Sequence, residues 1–230
     1  MNEIISRVFN FEKQVFARHA DMYSRLAKDG QSPKALMISC ADSRIVPEII
    51  LQAQPGDLFV TRNAGNIVPP FAQANGGVSS AVEYAVVALG VTDIIVCGHS
   101  GCGAMGALLK PGSLDEMPNV AAWLRHSHAA QGVVRTCYPD IPDTERLRAL
   151  TLENIVCQIA HLRTHPSVAA GIARGQLALH GWYVDIHAGS ILALDEASGV
   201  FTAIKDHEPL PVALPHGARL AASELLKRSA

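Results

Sequence analysis

Two short segments carry the side chains that could bind a metal. Cys-Ala-Asp-Ser-Arg occupies 40–44 and Gly-His-Ser-Gly-Cys-Gly occupies 98–103, and an apolar run precedes each segment. Such runs predict buried parallel strands, and open α/β sheets build their sites at the carboxyl ends of those strands. If the two strands are neighbours, the side chains of Cys40, His99 and Cys102 converge.

Two thiolates and one neutral imidazole form a set of zinc ligands, with a fourth position left for water or for Asp42. Two thiolates neutralise the charge of Zn²⁺, so zinc held this way acidifies water less than zinc held by three imidazoles. Such a site needs assistance at neutral pH. Asp42 could accept a hydrogen bond from the water, and Arg44 could hold that carboxylate ionised through a bidentate pair.

Each of these residues also has an ordinary structural explanation. A cysteine after a strand is usually a small buried hydrophobe, and His99 could be a hydrogen-bonded core residue. Asp42 and Arg44 could form a surface ion pair at a helix N-terminus. The glycines at 98–103 could form an anion-binding turn, but neither nucleotide motif, GxGxxG or GxxxxGKS/T, is present. The other cysteines lack partner motifs and are predicted to be structural: Cys97, Cys137 and Cys157.

The composition describes a globular protein with a sizeable core. Among 230 residues, 49% are hydrophobic and 17% are charged. The net charge of −2 gives no electrostatic reason to expect nucleic acid or an anionic membrane as a partner. No apolar run reaches transmembrane length, and the N-terminus lacks the apolar region of a secretory signal, so we expect a cytoplasmic protein. Five cysteines without paired spacing argue against a disulfide framework.

Strand and helix patterns alternate along the chain, which predicts a single α/β domain with a mainly parallel central sheet flanked by helices. An N-terminal helical arm for dimerisation is predicted at 1–30, with a break near Asn10. The catalytic α/β domain is predicted at 31–206, and a C-terminal loop with a peripheral helix at 207–230. The strands are predicted at 34–39, 58–62, 94–97, 176–186, 190–194 and 200–204, and the longest helices after the arm at 78–89 and 145–163.

The two metal-binding segments together resemble the paired signatures of the β-class carbonic anhydrases. The similarity covers about 30–205 and includes further segments at 55–60, 62–66, 80–86 and 180–182. Among the branches of that family, the chain most resembles the plant-type bacterial enzyme that accompanies cyanase.

The resemblance implies one zinc ion per chain, held by Cys40, His99 and Cys102, with Asp42 as a fourth ligand or as the partner of the zinc water. It implies reversible hydration of CO₂ to bicarbonate and a proton, through attack of zinc hydroxide on the carbon. The family's positions for the substrate pocket fall on Gln31, Phe59, Ala64, Tyr84 and Gly103. Ala64 is smaller than the usual valine. For Phe59 and Tyr84, core packing is the ordinary explanation.

The N-terminal arm predicts a homo-oligomer built on dimers. Phe9, Phe11 and Phe16 are too many aromatic side chains for an arm that stays exposed. In the family this segment wraps a partner subunit, so the resemblance implies that Gln31 reaches the zinc site of the partner. Dimers, tetramers and octamers all occur in the family, and the sequence does not choose among them.

The resemblance also bears on the position of Asp42. One branch of the family closes its site at lower pH, with the aspartate on zinc and bicarbonate in a nearby pocket. That branch has a tryptophan three residues before the first zinc cysteine and a glycine immediately before it. Here those positions hold Met37 and Ser39. We therefore expect an open site at neutral pH, with Asp42 paired to Arg44.

Two other functions stay open at this point. A sister hydrolase acting on carbonyl sulfide or carbon disulfide would use the same zinc scaffold and would differ in the shape of its pocket. A non-enzymatic zinc or redox module needs no pair such as Asp42 and Arg44, so the presence of that pair counts against it.

Overall fold

A six-stranded sheet forms the centre of the protein, for which a computed structural model describes residues 2–72 and 76–204. Its strands are β1 Ala35–Cys40, β2 Leu58–Asn63, β3 Asp93–His99, β4 Ala178–Asp185, β5 Ser190–Asp195 and β6 Val200–Ala203. They lie in the order β2-β1-β3-β4-β5-β6. The first four pair in parallel, and β5 and β6 form an antiparallel hairpin at one edge. The predicted mainly parallel sheet is confirmed.

Helices precede β1 and connect the parallel strands. Their bounds are α1 Asn2–Asn10, α2 Ala17–Asp29, α3 Pro47–Ile50, α4 Gly77–Glu83, α5 Gly103–Leu109, α6 Pro118–Leu124, α7 His128–Cys137, α8 Asp143–Leu162 and α9 Pro166–Ala173. The expected break near Asn10 is instead a π-helical segment, Phe11–Phe16, that joins α1 to α2 without an intervening loop. A second π-helical segment, Tyr84–Ala88, extends α4.

Side chains of β1 alternate between two buried clusters because successive residues of a strand point to opposite faces of the sheet. Leu36 and Ile38 pack with α4, α8 and α9 on one face. Ala35 and Met37 pack on the other face, where Ile45 and partly buried residues around α3 cover them. Burial on both faces explains why β1 reads as a continuous apolar run rather than an alternating one.

Two strand glycines let α8 lie close to the sheet. A Cβ placed on Gly98 would lie 2.9 Å from Ile155 Cδ1, and one on Gly181 would lie 2.8 Å from Ile155 Cγ2. Real Cβ atoms do not approach so closely, so any side chain at these positions would push the helix outward. The glycine before His99 therefore sets the distance between α8 and the end of β3.

The N-terminal arm leaves much apolar surface exposed in a single chain. Every side chain from residue 3 to residue 17 is exposed, including Ile4 at 64% and Phe9 at 56%. Phe11 and Phe16 pack with Tyr23, yet each keeps 42% of its surface exposed.

Within 2–72 and 76–204, no helix is both long enough and apolar enough to cross a bilayer. The loop and helix predicted for 207–230 fall outside the described residues, and the three-part division of the chain stays a prediction.

Candidate metal centre

The candidate ligands lie at the carboxyl ends of neighbouring strands. Cys40 is the last residue of β1 and His99 is the last residue of β3. The two strands pair in parallel, with Ser39 opposite Cys97, so both strands end at the same edge of the sheet. Cys102 follows after a tight turn and is the N-cap residue of α5. This arrangement matches the expectation from the sequence that the two segments meet.

The turn between His99 and Cys102 is fixed to the neighbouring strand. The Ser100 N–H donates to the Val184 carbonyl over 2.9 Å, and the Ser100 hydroxyl accepts from the Ile186 N–H over 2.8 Å. Gly101 has φ +64°, a left-handed conformation that glycine adopts without strain. The sharp reversal at Gly101 brings the Cys102 thiol back toward Cys40.

Three potential ligand atoms converge in the protein interior. The Sγ atoms of Cys40 and Cys102 and a ring nitrogen of His99 all lie within 4.8 Å of one another. The two Sγ atoms are 4.0 Å apart, close to the roughly 3.8 Å that separates two thiolates on one tetrahedral zinc with Zn–S bonds of about 2.3 Å. All three residues are buried, so solvent reaches them poorly.

His99 supplies the test of whether a metal fits. Its side chain is fully buried, and its Nε2 atom has no hydrogen-bond partner. Its Nδ1 atom lies 2.9 Å from the Ser100 carbonyl, so the ring donates from Nδ1 and presents the Nε2 lone pair to the two thiols. A buried nitrogen without a partner is costly, and a zinc ion bound beside the two thiols would satisfy it. The donor set fits zinc.

The two thiols share hydrogen bonds before any metal binds. The Cys102 thiol donates to Cys40, which lowers the pKa of Cys40 and raises that of Cys102. The backbone N–H groups of Gly65 and Asp42 also lower the pKa of Cys40, and those of Ala104 and Met105 partly oppose the rise in the pKa of Cys102. The first thiol proton therefore leaves easily, whereas loss of the second requires a compensating cation.

Arg44 holds both carboxylate oxygens of Asp42. Its Nε donates to Oδ1 over 2.9 Å and its Nη2 donates to Oδ2 over 2.7 Å. These hydrogen bonds keep the pKa of Asp42 well below its usual range. Arg44 Nη2 also donates to the Gly101 carbonyl over 3.1 Å, so the pair connects the two ligand segments. Asp42 Oδ2 lies 3.8 Å from His99 Nε2, beside the position of the metal.

Arg62 holds the segment that carries Cys40 and Asp42. It lies opposite Ser39 in the neighbouring strand β2. Its Nε donates to the Cys40 carbonyl over 3.1 Å, and its Nη2 donates to the Asp42 carbonyl over 2.7 Å. No role for Arg62 was predicted from the sequence. The available signal was a single basic residue near the end of an otherwise uncharged strand.

The predicted pocket residues fall into two groups. Ala64 and Gly103 lie beside the candidate metal ligands: Ala64 adjoins Gly65, whose N–H lowers the pKa of Cys40, and Gly103 directly follows Cys102. The indole of Trp123 donates to the Ala64 carbonyl over 3.0 Å and fixes that side of the site.

Gln31, Phe59 and Tyr84 lie away from the metal ligands of their own chain. Phe59 is opposite Leu36, four residues before the end of β1, which corresponds to about 13 Å of strand. Tyr84 packs against Phe59 with ring centroids 5.8 Å apart, and half of its surface is exposed. Gln31 is exposed and precedes the amino end of β1. One chain alone does not assemble the complete predicted pocket.

Comparison with known proteins decides the family. The sequence profile of the family described as carbonic anhydrase matches residues 35–191, which include all three candidate ligands. The fold superposes on the β-carbonic anhydrase CcaA with a TM-score of 0.86 and 43% identity, covering 90% of this chain and 93% of that one. The chain belongs to the β-class carbonic anhydrases.

Other carbonic anhydrases agree over most of their length. A carbonic anhydrase of Pseudomonas aeruginosa is 48% identical over 207 residues, which is 90% of this chain and 93% of the relative. A tetrameric β-carbonic anhydrase of Sordaria macrospora has a TM-score of 0.73 and 30% identity, covering 84% of this chain and 95% of that one. The expected enzyme family is therefore confirmed, its Cys40, His99 and Cys102 cluster is compatible with zinc, and the non-enzymatic alternative is set aside.

Proposed function

We propose that this β-carbonic anhydrase hydrates CO₂ reversibly at one zinc ion per chain, held by Cys40, His99 and Cys102. The observation that carries the proposal is the buried, unpartnered Nε2 of His99. It faces two thiols that lie 4.0 Å apart, and the Asp42 carboxylate lies 3.8 Å from it. Zinc bound there supplies a Lewis acid that makes water a nucleophile near neutral pH.

Asp42 orients the attacking water in this proposal. Because Arg44 keeps its carboxylate ionised, Asp42 is a hydrogen-bond acceptor throughout the neutral pH range. A carboxylate with so low a pKa accepts a hydrogen bond and does not keep the proton, which passes to buffer. Arg44 has a second effect, because an aspartate held on both oxygens is not free to occupy the fourth zinc position.

We further propose that the active unit is at least a dimer. Each chain would receive Gln31, Phe59 and Tyr84 from its partner, since these residues lie away from the ligands of their own chain. The exposed apolar side chains of α1, which include Ile4 and Phe9, provide surface for such an interface. The Sordaria macrospora neighbour, which is tetrameric, supports assembly from this fold.

A reducing compartment suits this enzyme, so we assign it to the cytoplasm and to carbon utilisation there. All five cysteines are free thiols, and the pair at the metal centre must stay reduced to bind zinc. The near-neutral charge gives no reason to invoke nucleic acid or an anionic membrane as a partner.

Stopped-flow measurement of CO₂ hydration, with zinc determined on the same sample, tests the proposal. We expect about one zinc per chain and hydration that is lost when the metal is removed by a chelator and restored by added zinc. Carbonyl sulfide and carbon disulfide are assayed in parallel. Turnover of either gas without CO₂ hydration would overturn the proposal in favour of a sister hydrolase.

A further inference from the structure

A cavity of about 440 Å³ lies between α5, α7 and the first half of α8, within the size range of small-molecule sites. Its floor is apolar and belongs to a buried cluster of the core, formed here by Leu108, Leu109, Val134 and Leu150. Its rim is polar and is formed by His128, Gln131, Arg135 and Arg146. The candidate metal ligands do not line this cavity, so it is separate from the zinc site.

The rim of the cavity carries positive charge. Within the described part of the chain, no aspartate or glutamate lines it. The charge of Arg146 is already balanced, because its Nε donates to Asp143 Oδ1 over 3.1 Å, and its Nη2 donates to the Ile141 carbonyl over 3.0 Å. Arg135 is exposed and has no hydrogen-bond or ion-pair partner among residues 2–72 and 76–204. The charge of Arg135 is therefore available to an anion.

One face of α7 forms the polar side of the cavity. Residues three and four positions apart share a face of a helix, and four lining residues follow this spacing: His128, Gln131, Gly132 and Arg135. Gln131 Nε2 donates to the Leu108 carbonyl over 2.9 Å, which fixes this face against the end of α5. The cavity is thus part of the folded chain and needs no rearrangement to accept a ligand.

Gly132 leaves open space on the same face. It lies inside α7, where glycine weakens a helix relative to alanine, and its φ is not left-handed. Apart from its own helix backbone, a Cβ at this position would meet no described atom within 4 Å. Neither backbone conformation nor packing therefore requires glycine here. A ligand that occupies the cavity gives this glycine a physical reason, because a side chain would take up part of the space.

We propose that this cavity binds a small organic carboxylate with a short apolar body. The carboxylate accepts charge-assisted hydrogen bonds from Arg135, whose guanidinium matches a carboxylate with two parallel donors. The apolar body displaces water from the leucine side chains of the floor. An inorganic anion would leave that floor uncovered, and a neutral molecule would not use the charge. The proposal is independent of CO₂ hydration, because no metal ligand takes part in it.

Isothermal titration calorimetry of the zinc-loaded protein with hexanoate tests the proposal. Azide is present throughout to occupy the zinc, so that the carboxylate does not bind there. We expect about one hexanoate per chain with a Kd of about 1 mM or tighter. Hexanamide has the same apolar body without the charge, and acetate has the charge without the body. Each should bind at least about tenfold more weakly than hexanoate.

Two variants with matched controls locate the bound hexanoate. Arg135→Gln removes the charge at an exposed position and should weaken binding about tenfold. Its control is Arg174→Gln, because Arg174 is exposed at the end of α9 and lies outside this cavity. Gly132→Leu should abolish binding by filling the space, whereas Gly132→Ala adds one methyl group and should retain it.

The absence of saturable hexanoate binding to the wild-type protein would overturn the proposal. Equal affinity for hexanamide or acetate would overturn it as well, since each lacks one of the two features that the cavity matches. Unchanged hexanoate binding in either Arg135→Gln or Gly132→Leu would place the ligand elsewhere on the protein. Circular dichroism checks that each variant is folded, and if Gly132→Leu is not, Arg135→Gln alone decides.

Discussion

Asp42 and Arg44 form a bidentate pair at the edge of the metal centre. Two guanidinium nitrogens donate to two carboxylate oxygens over 2.9 and 2.7 Å, and the Arg44 backbone N–H adds a third bond to Oδ1 over 3.0 Å. The same carboxylate lies 3.8 Å from the buried nitrogen of His99. Asp42 is therefore close enough to reach a metal ligand position and is held away from it by Arg44.

Removal of Arg44 should release Asp42 onto the zinc. We expect Arg44→Ala to lower CO₂ hydration by about 10- to 100-fold, because the carboxylate then competes with water for the fourth position. Stopped-flow kinetics measure the rate, and zinc X-ray absorption counts the oxygen ligands. Arg146→Ala, which breaks a surface pair with Asp143, is the control. Unchanged CO₂ hydration in Arg44→Ala would show that Arg44 is not needed to hold Asp42 away from the zinc.

Substitution of any one ligand should remove zinc and activity together. Cys40→Ser, His99→Ala and Cys102→Ser each leave two ligands, too few to hold zinc against dilution or a chelator. Cys137→Ser is the control, because that thiol is exposed at the end of α7. Zinc content is measured by atomic spectroscopy after dialysis. Stoichiometric zinc in Cys102→Ser would remove Cys102 from the ligand set.

The sequence predicts the short segments that carry the candidate ligands better than it predicts the contacts between distant residues that hold those segments in place. Apolar runs ending at Cys40 and His99 were sufficient to predict two buried strands and their common edge. The contact between Asn154 and Gly65 joins residues 89 positions apart and has no local pattern. It depends on how closely α8 approaches the sheet, which is a tertiary property. The break predicted near Asn10 is likewise absent, because the π-helical segment Phe11–Phe16 continues the helix without the 3.6-residue periodicity by which a helix is recognised in a sequence.

The location of Tyr84 relative to the zinc can be tested by pairing two differently tagged chains. In the trans pair, one chain carries Cys102→Ser and the other carries Tyr84→Ala. In the cis pair, one chain carries both substitutions and the other is wild type. If the partner supplies Tyr84, the trans pair has one intact site and the cis pair has none.

We therefore expect the purified trans heterodimer to hydrate CO₂ faster than the cis heterodimer. Both contain the same substitutions, so differences in stability largely cancel. The opposite order would mean that Tyr84 serves the zinc of its own chain. The same design applies to Gln31→Ala, and a fully active monomer in light scattering would contradict the dimer altogether.

Glu153 should make the protein less stable as the pH rises. It is 5% exposed and accepts a hydrogen bond from the Tyr138 hydroxyl over 3.2 Å. Burial raises its pKa from 4.5 to about 7, and the Tyr138 bond only partly opposes this. The unfolded chain ionises Glu153 above about pH 4.5, whereas the folded chain keeps its proton to about pH 7. Folding stability therefore falls between these values and stays reduced above them.

Glu153→Gln should remove this pH dependence. We expect the stability of the variant, relative to wild type, to increase as the pH rises from 5 to 8. For a pKa shift of this size the increase reaches at most about 3 kcal/mol in the free energy of unfolding. Urea unfolding of the zinc-loaded protein at each pH measures the difference. Glu116→Gln, at an exposed position, is the control. If the free energy of unfolding changes with pH in the same way for wild type and Glu153→Gln, Glu153 does not ionise in this range.

Bicarbonate should not inhibit this enzyme cooperatively near neutral pH. The family branch that closes its site has a tryptophan at the position of Met37 and a glycine at that of Ser39. Here both side chains are fully buried, with Met37 packed against Cys97 and its neighbours. The Arg62 guanidinium already donates hydrogen bonds to the carbonyls of Cys40 and Asp42. These bonds hold it in place, so it is not a free cationic group for a second bicarbonate.

The expected state is thus an open site, with Asp42 on Arg44 and off the zinc. Initial rates of CO₂ hydration at pH 7.5 are measured against bicarbonate at constant ionic strength, with chloride as the matched anion. We expect bicarbonate to act only as a simple product inhibitor, because without the tryptophan one wall of the bicarbonate pocket is missing and little favours the closed arrangement. A sigmoidal loss of rate specific to bicarbonate would contradict this. A crystal structure near pH 7.5 with Asp42 bound to zinc in every subunit would contradict it independently.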